Sequence, residues 1–176
     1  MVNYFRISLL FLLVTFTTQI FAQNADFETL STENFKINYP SGWTVDQSGT
    51  MGTEFFIFDA PTNDDDLFSE NINLMLEDKW SDTTTLESYG NYNLELLPKY
   101  IQDYKYISSE LSQQNGTDVF KVEYTGASGT FKLHFKQVMA FKGDVIYIVT
   151  FTMEQNQVEV YESTAENILE SFKIVE

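Results

Sequence analysis

Between residues 104 and 153 the chain carries four strand-like segments, 104–113, 119–125, 130–141 and 144–153, separated by breaks that hold little more than turns. Asn115-Gly116, Gly126-Ala127-Ser128-Gly129 and Lys142-Gly143-Asp144 supply the residue types that tight hairpins need. Strands joined so closely pair antiparallel, because a parallel neighbour requires a long crossover. This meander is the strongest constraint on the fold.

Further strands precede it. Phe35-Lys36-Ile37-Asn38-Tyr39 alternates apolar and polar and stops at Pro40-Ser41-Gly42, with Trp43 and Val45 expected to cover one end of the core. Phe55-Phe56-Ile57-Phe58 is a continuous apolar run of the kind covered on both faces. Residues 71–77 alternate again, with Ile72, Leu74 and Leu76 on one side. Two helices complete the pattern. The first is announced by Thr84-Thr85-Leu86-Glu87, read as a capping box between Thr84 and Glu87, and is expected to end or kink near Leu97 because Pro98 follows. In the second, Val158, Tyr161, Ala165, Ile168, Leu169 and Phe172 recur at helical spacing, with Asn156 as the expected cap and the glutamates left in water. The order of three strands, a helix, four strands and a helix predicts an α+β sandwich built on one antiparallel sheet.

The N-terminus reads as an address. Arg6 precedes a ten-residue apolar run, residues 7–16, and Ala22 offers a small residue for cleavage. The run is shorter than the roughly 20 residues of a membrane span. Residues 1–22 are therefore expected to be a removed signal peptide, 23–32 a flexible segment, and 33–176 a single domain, exported to the periplasm or medium as a soluble protein, most simply a monomer. Removing residues 1–22, which hold one Arg and no acid, leaves nine Lys against 26 acids, so the net charge moves from −16 to −17.

Composition excludes whole classes of chemistry. With no Cys there is no disulfide, thiolate metal site or cysteine nucleophile, and a single His rules out sites needing two imidazoles. With Arg6 removed, the mature chain has no arginine fork for phosphate or guanine, and its negative charge repels nucleic acid and anionic lipid alike.

The opening Phe35-Lys36-Ile37-Asn38-Tyr39-Pro40-Ser41-Gly42-Trp43, the later Asn71-Ile72-Asn73-Leu74 and the closing Ser171-Phe172-Lys173-Ile174 together resemble the PsbP-like superfamily over residues 33–174. That group includes the extrinsic PsbP protein of photosystem II and bacterial DcrB-like exported proteins. The resemblance implies an α-β-α sandwich around a central antiparallel sheet of about six to seven strands. It also implies a scaffold that binds partners rather than catalyses.

Candidate sites are few. Period two along residues 131–136 places Phe131, Leu133 and Phe135 on one face and His134 with Lys132 and Lys136 on the other, so His134 is expected at the surface rather than as a base. No Gly-x-Ser-x-Gly elbow presents a serine. Asp64, Asp65, Asp66 and Glu70, with Asp59, make the densest acidic stretch. Such oxygens could hold a weak extracellular Ca²⁺, but the EF-hand spacing and its glycine are missing, and a solvated loop is the simpler reading. Tyr89, Tyr92, Tyr100 and Tyr104, with Tyr106, could form a recognition patch or close the core with their hydroxyls reaching water. Asn115-Gly116-Thr117 fits a glycosylation sequon and also a hairpin turn, which is preferred. The expected function is a secreted or periplasmic, non-catalytic binding or assembly module. It has no catalytic residues and no cofactor beyond possible Ca²⁺, and its partner is an unspecified protein or small ligand. The alternative is a hydrolase using a carboxylate pair.

Overall fold

The computed structural model describes residues 26–61 and 66–175. The expected leader with its cut after Ala22, and the acids Asp64 and Asp65, lie outside the described residues. In chain order the elements are β1 (Phe27–Ser31), β2 (Phe35–Pro40), β3 (Thr44–Asp46), β4 (Phe55–Phe58), β5 (Asn71–Asp78), α1 (Leu86–Tyr100), β6 (Gln102–Gln114), β7 (Thr117–Ser128), β8 (Phe131–Lys142), β9 (Val145–Glu154), α2 (Val158–Ser171) and β10 (Lys173–Ile174).

Seven strands form one sheet in the order β3-β4-β5-β9-β8-β7-β6, with every pairing antiparallel. The hairpin between β6 and β7 turns on Asn115 and Gly116, whose φ angles of 52° and 82° are the positive pair that a type I′ turn demands. Alternation along β8 shows that both faces of this sheet are covered. Val138 and Ala140 join the core under α2, while Met139 and Phe141 belong with the cluster under α1. A helix on each face makes the α-β-α sandwich.

Two expectations about the strands are corrected. The strand containing Phe35-Lys36-Ile37-Asn38-Tyr39 is not part of the main sheet. It is the centre of a second, three-stranded sheet of order β1-β2-β10 that delivers Phe35, Ile37 and Tyr39 to the α2-side core. Residues 27–31, inside the segment expected to be flexible, pair with β2 from Phe27↔Pro40 to Ser31↔Lys36, because β2 needs a partner on its second edge. The Val45 region is the short strand β3 on β4.

Helix ends also shift slightly. Thr85, not Thr84, caps α1: its hydroxyl accepts from the Ser88 amide at 3.1 Å, and the Ser88 hydroxyl accepts from the Thr85 amide at 3.0 Å. Pro98 sits within the last turn of α1, so the helix runs past Leu97 to Tyr100 with the loss of a single backbone donor near its end, and it closes with Ile101 N–H donating to Leu97 O at 2.8 Å. The N-cap of α2 is Gln157, with no side-chain capping bond, after a 3₁₀ turn that takes up Asn156. The apolar stripe of α2 falls where the spacing put it, with Ala165, Ile168, Leu169 and Phe172 buried.

Candidate functional site

The α2 face of the sheet changes character from strand to strand. Register rows run Glu110↔Lys121↔Val138↔Val149 and Ser108↔Glu123↔Lys136↔Phe151 across β6, β7, β8 and β9. They are charged or polar at the β6 edge and apolar at β9. The buried stripe of α2 rests on the apolar end. Toward the other end α2 faces side chains that demand partners, and its stripe Glu162, Glu166, Glu170, spaced four apart, supplies acids.

Lys136 is the joint. Its ammonium donates to Glu162 Oε1 and lies 3.5 Å from Glu166 Oε1 and 3.9 Å from Glu123 Oε1. Burial lowers the Lys136 pKa, but the Glu162 hydrogen bond and the charges of Glu123, Glu162 and Glu166 outweigh it and hold the group above its ordinary value. The expectation that the glutamates of α2 stand free in water is therefore corrected for Glu162 and Glu166. His134 is corrected too. It is 8% exposed rather than at the surface, and its Nε2 lies 2.7 Å from Glu123 Oε1. Its face is covered because the same alternation continues into Val138 and Ala140.

The C-terminus of α2 is held by the β6–β7 hairpin. Gln114 Nε2 donates to Leu169 O at 2.7 Å and Phe172 O at 3.2 Å, while Asn115 Nδ2 donates to Glu170 O at 2.9 Å and Phe172 O at 3.1 Å. These amides satisfy carbonyls that a helix end leaves without partners. The nitrogen of the sequon is thus engaged in holding the end of α2. Gln114 Oε1 is shielded from solvent and accepts no hydrogen bond among the described residues.

Between the Lys136 joint and the Gln114–Asn115 clamp, the helix stands off the sheet and leaves a groove of about 290 Å³. Ser108 and Glu110 of β6 form its outer wall, Lys121 and Glu123 its floor, and Glu166 and Glu170 its helical wall. The charges of Lys121 and Lys136 already face Glu110 at 3.9 Å and the three glutamates around Lys136. Acceptors are in excess, so the groove suits a ligand rich in N–H donors and positive charge.

The other candidates lie elsewhere and do not form one recognition surface. Tyr89 is buried at 1% exposure, its hydroxyl donating to Glu77 Oε2 at 2.6 Å, which removes it from any recognition surface. Burial, aided by that bond, pushes its pKa up. Trp80 packs on Tyr89 at 5.3 Å and on Tyr92 at 4.4 Å between ring centroids. Tyr104 instead lies against Tyr124, which stacks on Phe135 at 4.7 Å. Tyr92, Tyr100 and Tyr106 are exposed.

In the acidic stretch, Asp59 Oδ2 accepts from the Tyr161 hydroxyl at 2.7 Å, and buried Glu70 accepts from the Glu154 amide at 3.3 Å. Burial raises the Glu70 pKa. Among the described residues no group of three or more Asp, Glu or His could hold a metal ion. None of the groove residues was singled out as a site from sequence, because three consecutive hairpin strands meet α2 there only through the fold. The alternation Lys132-His134-Lys136-Val138-Ala140 was the available signal, since a strand face that turns apolar is a covered face.

The fold has relatives of known structure. Cyanobacterial PsbP from Synechocystis sp. PCC 6803 superposes with a TM-score of 0.63 at 16% identity, over 85% of this chain and 93% of that one. LpqN of Mycobacterium tuberculosis, described as involved in cell envelope biogenesis, gives 0.56 at 11% identity over 86% and 91%. PA94 of Pseudomonas aeruginosa, described as a protein of unknown function and a putative regulator, gives 0.58 at 11% over 82% and 94%. No curated protein matches the chain in sequence. Among the described residues no helix is long and apolar enough to cross a membrane. The sequence itself matches the PsbP-like protein family over residues 15–174, and with the sandwich and its seven-stranded antiparallel sheet in place, the chain belongs to that family.

Proposed function

We propose that the protein is an exported, non-catalytic binding or assembly module that takes its partner on the α2 face of the sheet. The observation that carries this reading is the 290 Å³ groove, whose carboxylates outnumber the cations they face. Export rests on the layout of residues 1–22 and accords with the envelope role stated for LpqN. The non-catalytic character is supported by how the groups are used. His134 is spent on Glu123 within the fold, and the carboxyl raised by burial, Glu70, lies outside the groove. A carboxylate-pair hydrolase needs a raised acid beside a second carboxylate in the cleft that admits substrate.

Size-exclusion chromatography of the exported fraction tests the reading. A stoichiometric partner should co-elute with the native protein and be lost from the Glu110→Lys/Glu170→Lys variant, while Tyr92→Ala leaves it bound. Loss in Tyr92→Ala alone would move the site to the opposite face, and no partner at any stoichiometry would overturn the proposal.

A further inference from the structure

The strand beside the groove is open on one side. Among the described residues β6 pairs only with β7, and its 13 residues make it the longest strand of the sheet. An edge ladder is a template for another chain, and proteins blunt such edges with bulges, charges or proline. Here the blunting is confined to the first half. Register shifts fall between Gln102 and Lys105 and between Tyr106 and Ser108, whereas residues 108–114 run in unbroken register against β7. That regular half contains no proline and one charge, Glu110. It is also the half that borders the groove, through Ser108, Glu110 and Gln114.

We propose that an extended basic peptide adds as an eighth strand along residues 108–114 of β6, laying alternate Lys or Arg side chains over the groove. This rests on the binding-module reading and names its partner class. An added strand would sit about 4.8 Å from β6 with every second side chain on the α2 face, in phase with Ser108, Glu110 and Gln114, which all fall on the even positions of β6. Charge selects the occupant. The groove offers Glu110, Glu123, Glu166 and Glu170 against Lys121 and Lys136, and the chain as a whole carries −16. An acidic segment, or a second copy of this protein, approaches against that field, while a basic one is drawn in.

The test uses the purified protein at about 150 mM salt, near physiological ionic strength, with three probes: a capped ten-residue peptide alternating Lys and Thr, its Glu–Thr counterpart, and spermidine. Calorimetric titration should show the Lys–Thr peptide binding at least about tenfold more tightly than either other probe, a difference well resolved in a titration. Amide hydrogen exchange should slow across residues 108–114 when it binds. The surface variant Glu110→Lys/Glu170→Lys should lose that binding and acquire binding to the Glu–Thr peptide. Spermidine matching the peptide without slowed amides would reduce the effect to counterion binding and overturn the proposal. Slowing of the same amides with protein concentration alone would overturn it in favour of a second copy. If the Lys–Thr peptide fails while the exported partner is still lost from the double variant, strand addition falls and the binding-module reading stands. If the partner also survives the double variant, both fall.

Discussion

The two faces of one sheet are covered by helices in opposite ways. On the α1 face the contact is closed. Gly90 presses on β7 so tightly that a Cβ there would sit 2.4 Å from the Phe120 ring, and Tyr89, Phe120, Val122, Tyr124 and Met139 pack beneath it. On the α2 face the helix rests on a core formed by β4, β5, β9, the second sheet and, from β8 and β7, Val138, Ala140 and Val119. Elsewhere it is held at a distance by a lysine and two side-chain amides. A helix joined through its backbone and small residues seals a core. One joined through long polar side chains leaves room, and here the room is lined with charge.

Substitutions that strike each kind of contact should separate the two modes. The largest effect belongs to the closed part of the α2 core. Ile168→Ala, at 0% exposure, should lose about 2–5 kcal/mol in urea unfolding, while Val160→Ala, at 65% exposure on the same helix, should lose under about 0.5 kcal/mol. A small loss at Ile168 would mean α2 is not packed there at all.

Next comes the sealed α1 face. An alanine within a helix normally gains about 1 kcal/mol over glycine, but Gly90→Ala must displace the Phe120 ring and should instead lose about 1–3 kcal/mol. A net gain in melting temperature would show that α1 stands off the sheet as α2 does, and the contrast would collapse.

Lys136→Met probes the stand-off side. The lysine side chain is 13% exposed, but Glu162 and Glu166 are 39% and 56% exposed, so their stranded charges remain partly solvated. The loss should be about 1–2 kcal/mol, below the cost of breaking a fully buried pair and above that of a surface pair. Because the folded-state pKa of Lys136 is raised, its contribution is fully present below the ordinary lysine value and fades as pH rises through the raised one. The gap between the two proteins in urea midpoint should therefore hold from neutral pH and narrow only in strong alkali. A gap constant across that range would deny the ion pairs their role.

The smallest effect is at Glu70. Burial raises this carboxyl, so the stability it lends as the neutral acid is present below the ordinary carboxylate range and lost as pH climbs through the raised value. Glu70→Gln keeps an acceptor for the Glu154 amide and cannot ionise. The variant should match the parent near pH 4 and exceed it at pH 8, and a difference independent of pH would contradict the burial of a charge there.

Local rules carried most of the fold. Alternation with turn residues located the meander and the Asn115-Gly116 hairpin, and helical spacing located the buried stripe of α2. What they could not carry is pairing at a distance. The strand around Ile37 alternates identically whether it joins the main sheet or a second one, and only the partners β1 and β10 decide which. The same limit hid the groove. The alternation from Lys136 into Val138 and Ala140 marks a covered face, but nothing local announces that Glu162, 26 positions on, is what covers it. The tyrosines divide for the opposite reason: they are close in sequence, but Tyr89 and Tyr104 close the core under α1 while Tyr92, Tyr100 and Tyr106 stay exposed.

On the proposed function, the open, charged side of α2 meets the partner and the sealed α1 side does not. A photo-crosslinking amino acid placed at Glu170 in the groove wall, and separately at the exposed Tyr92 on α1, tests it in the exporting cell. One discrete crosslinked product is expected from position 170 and none from position 92. A product from position 92 with none from position 170 would contradict it.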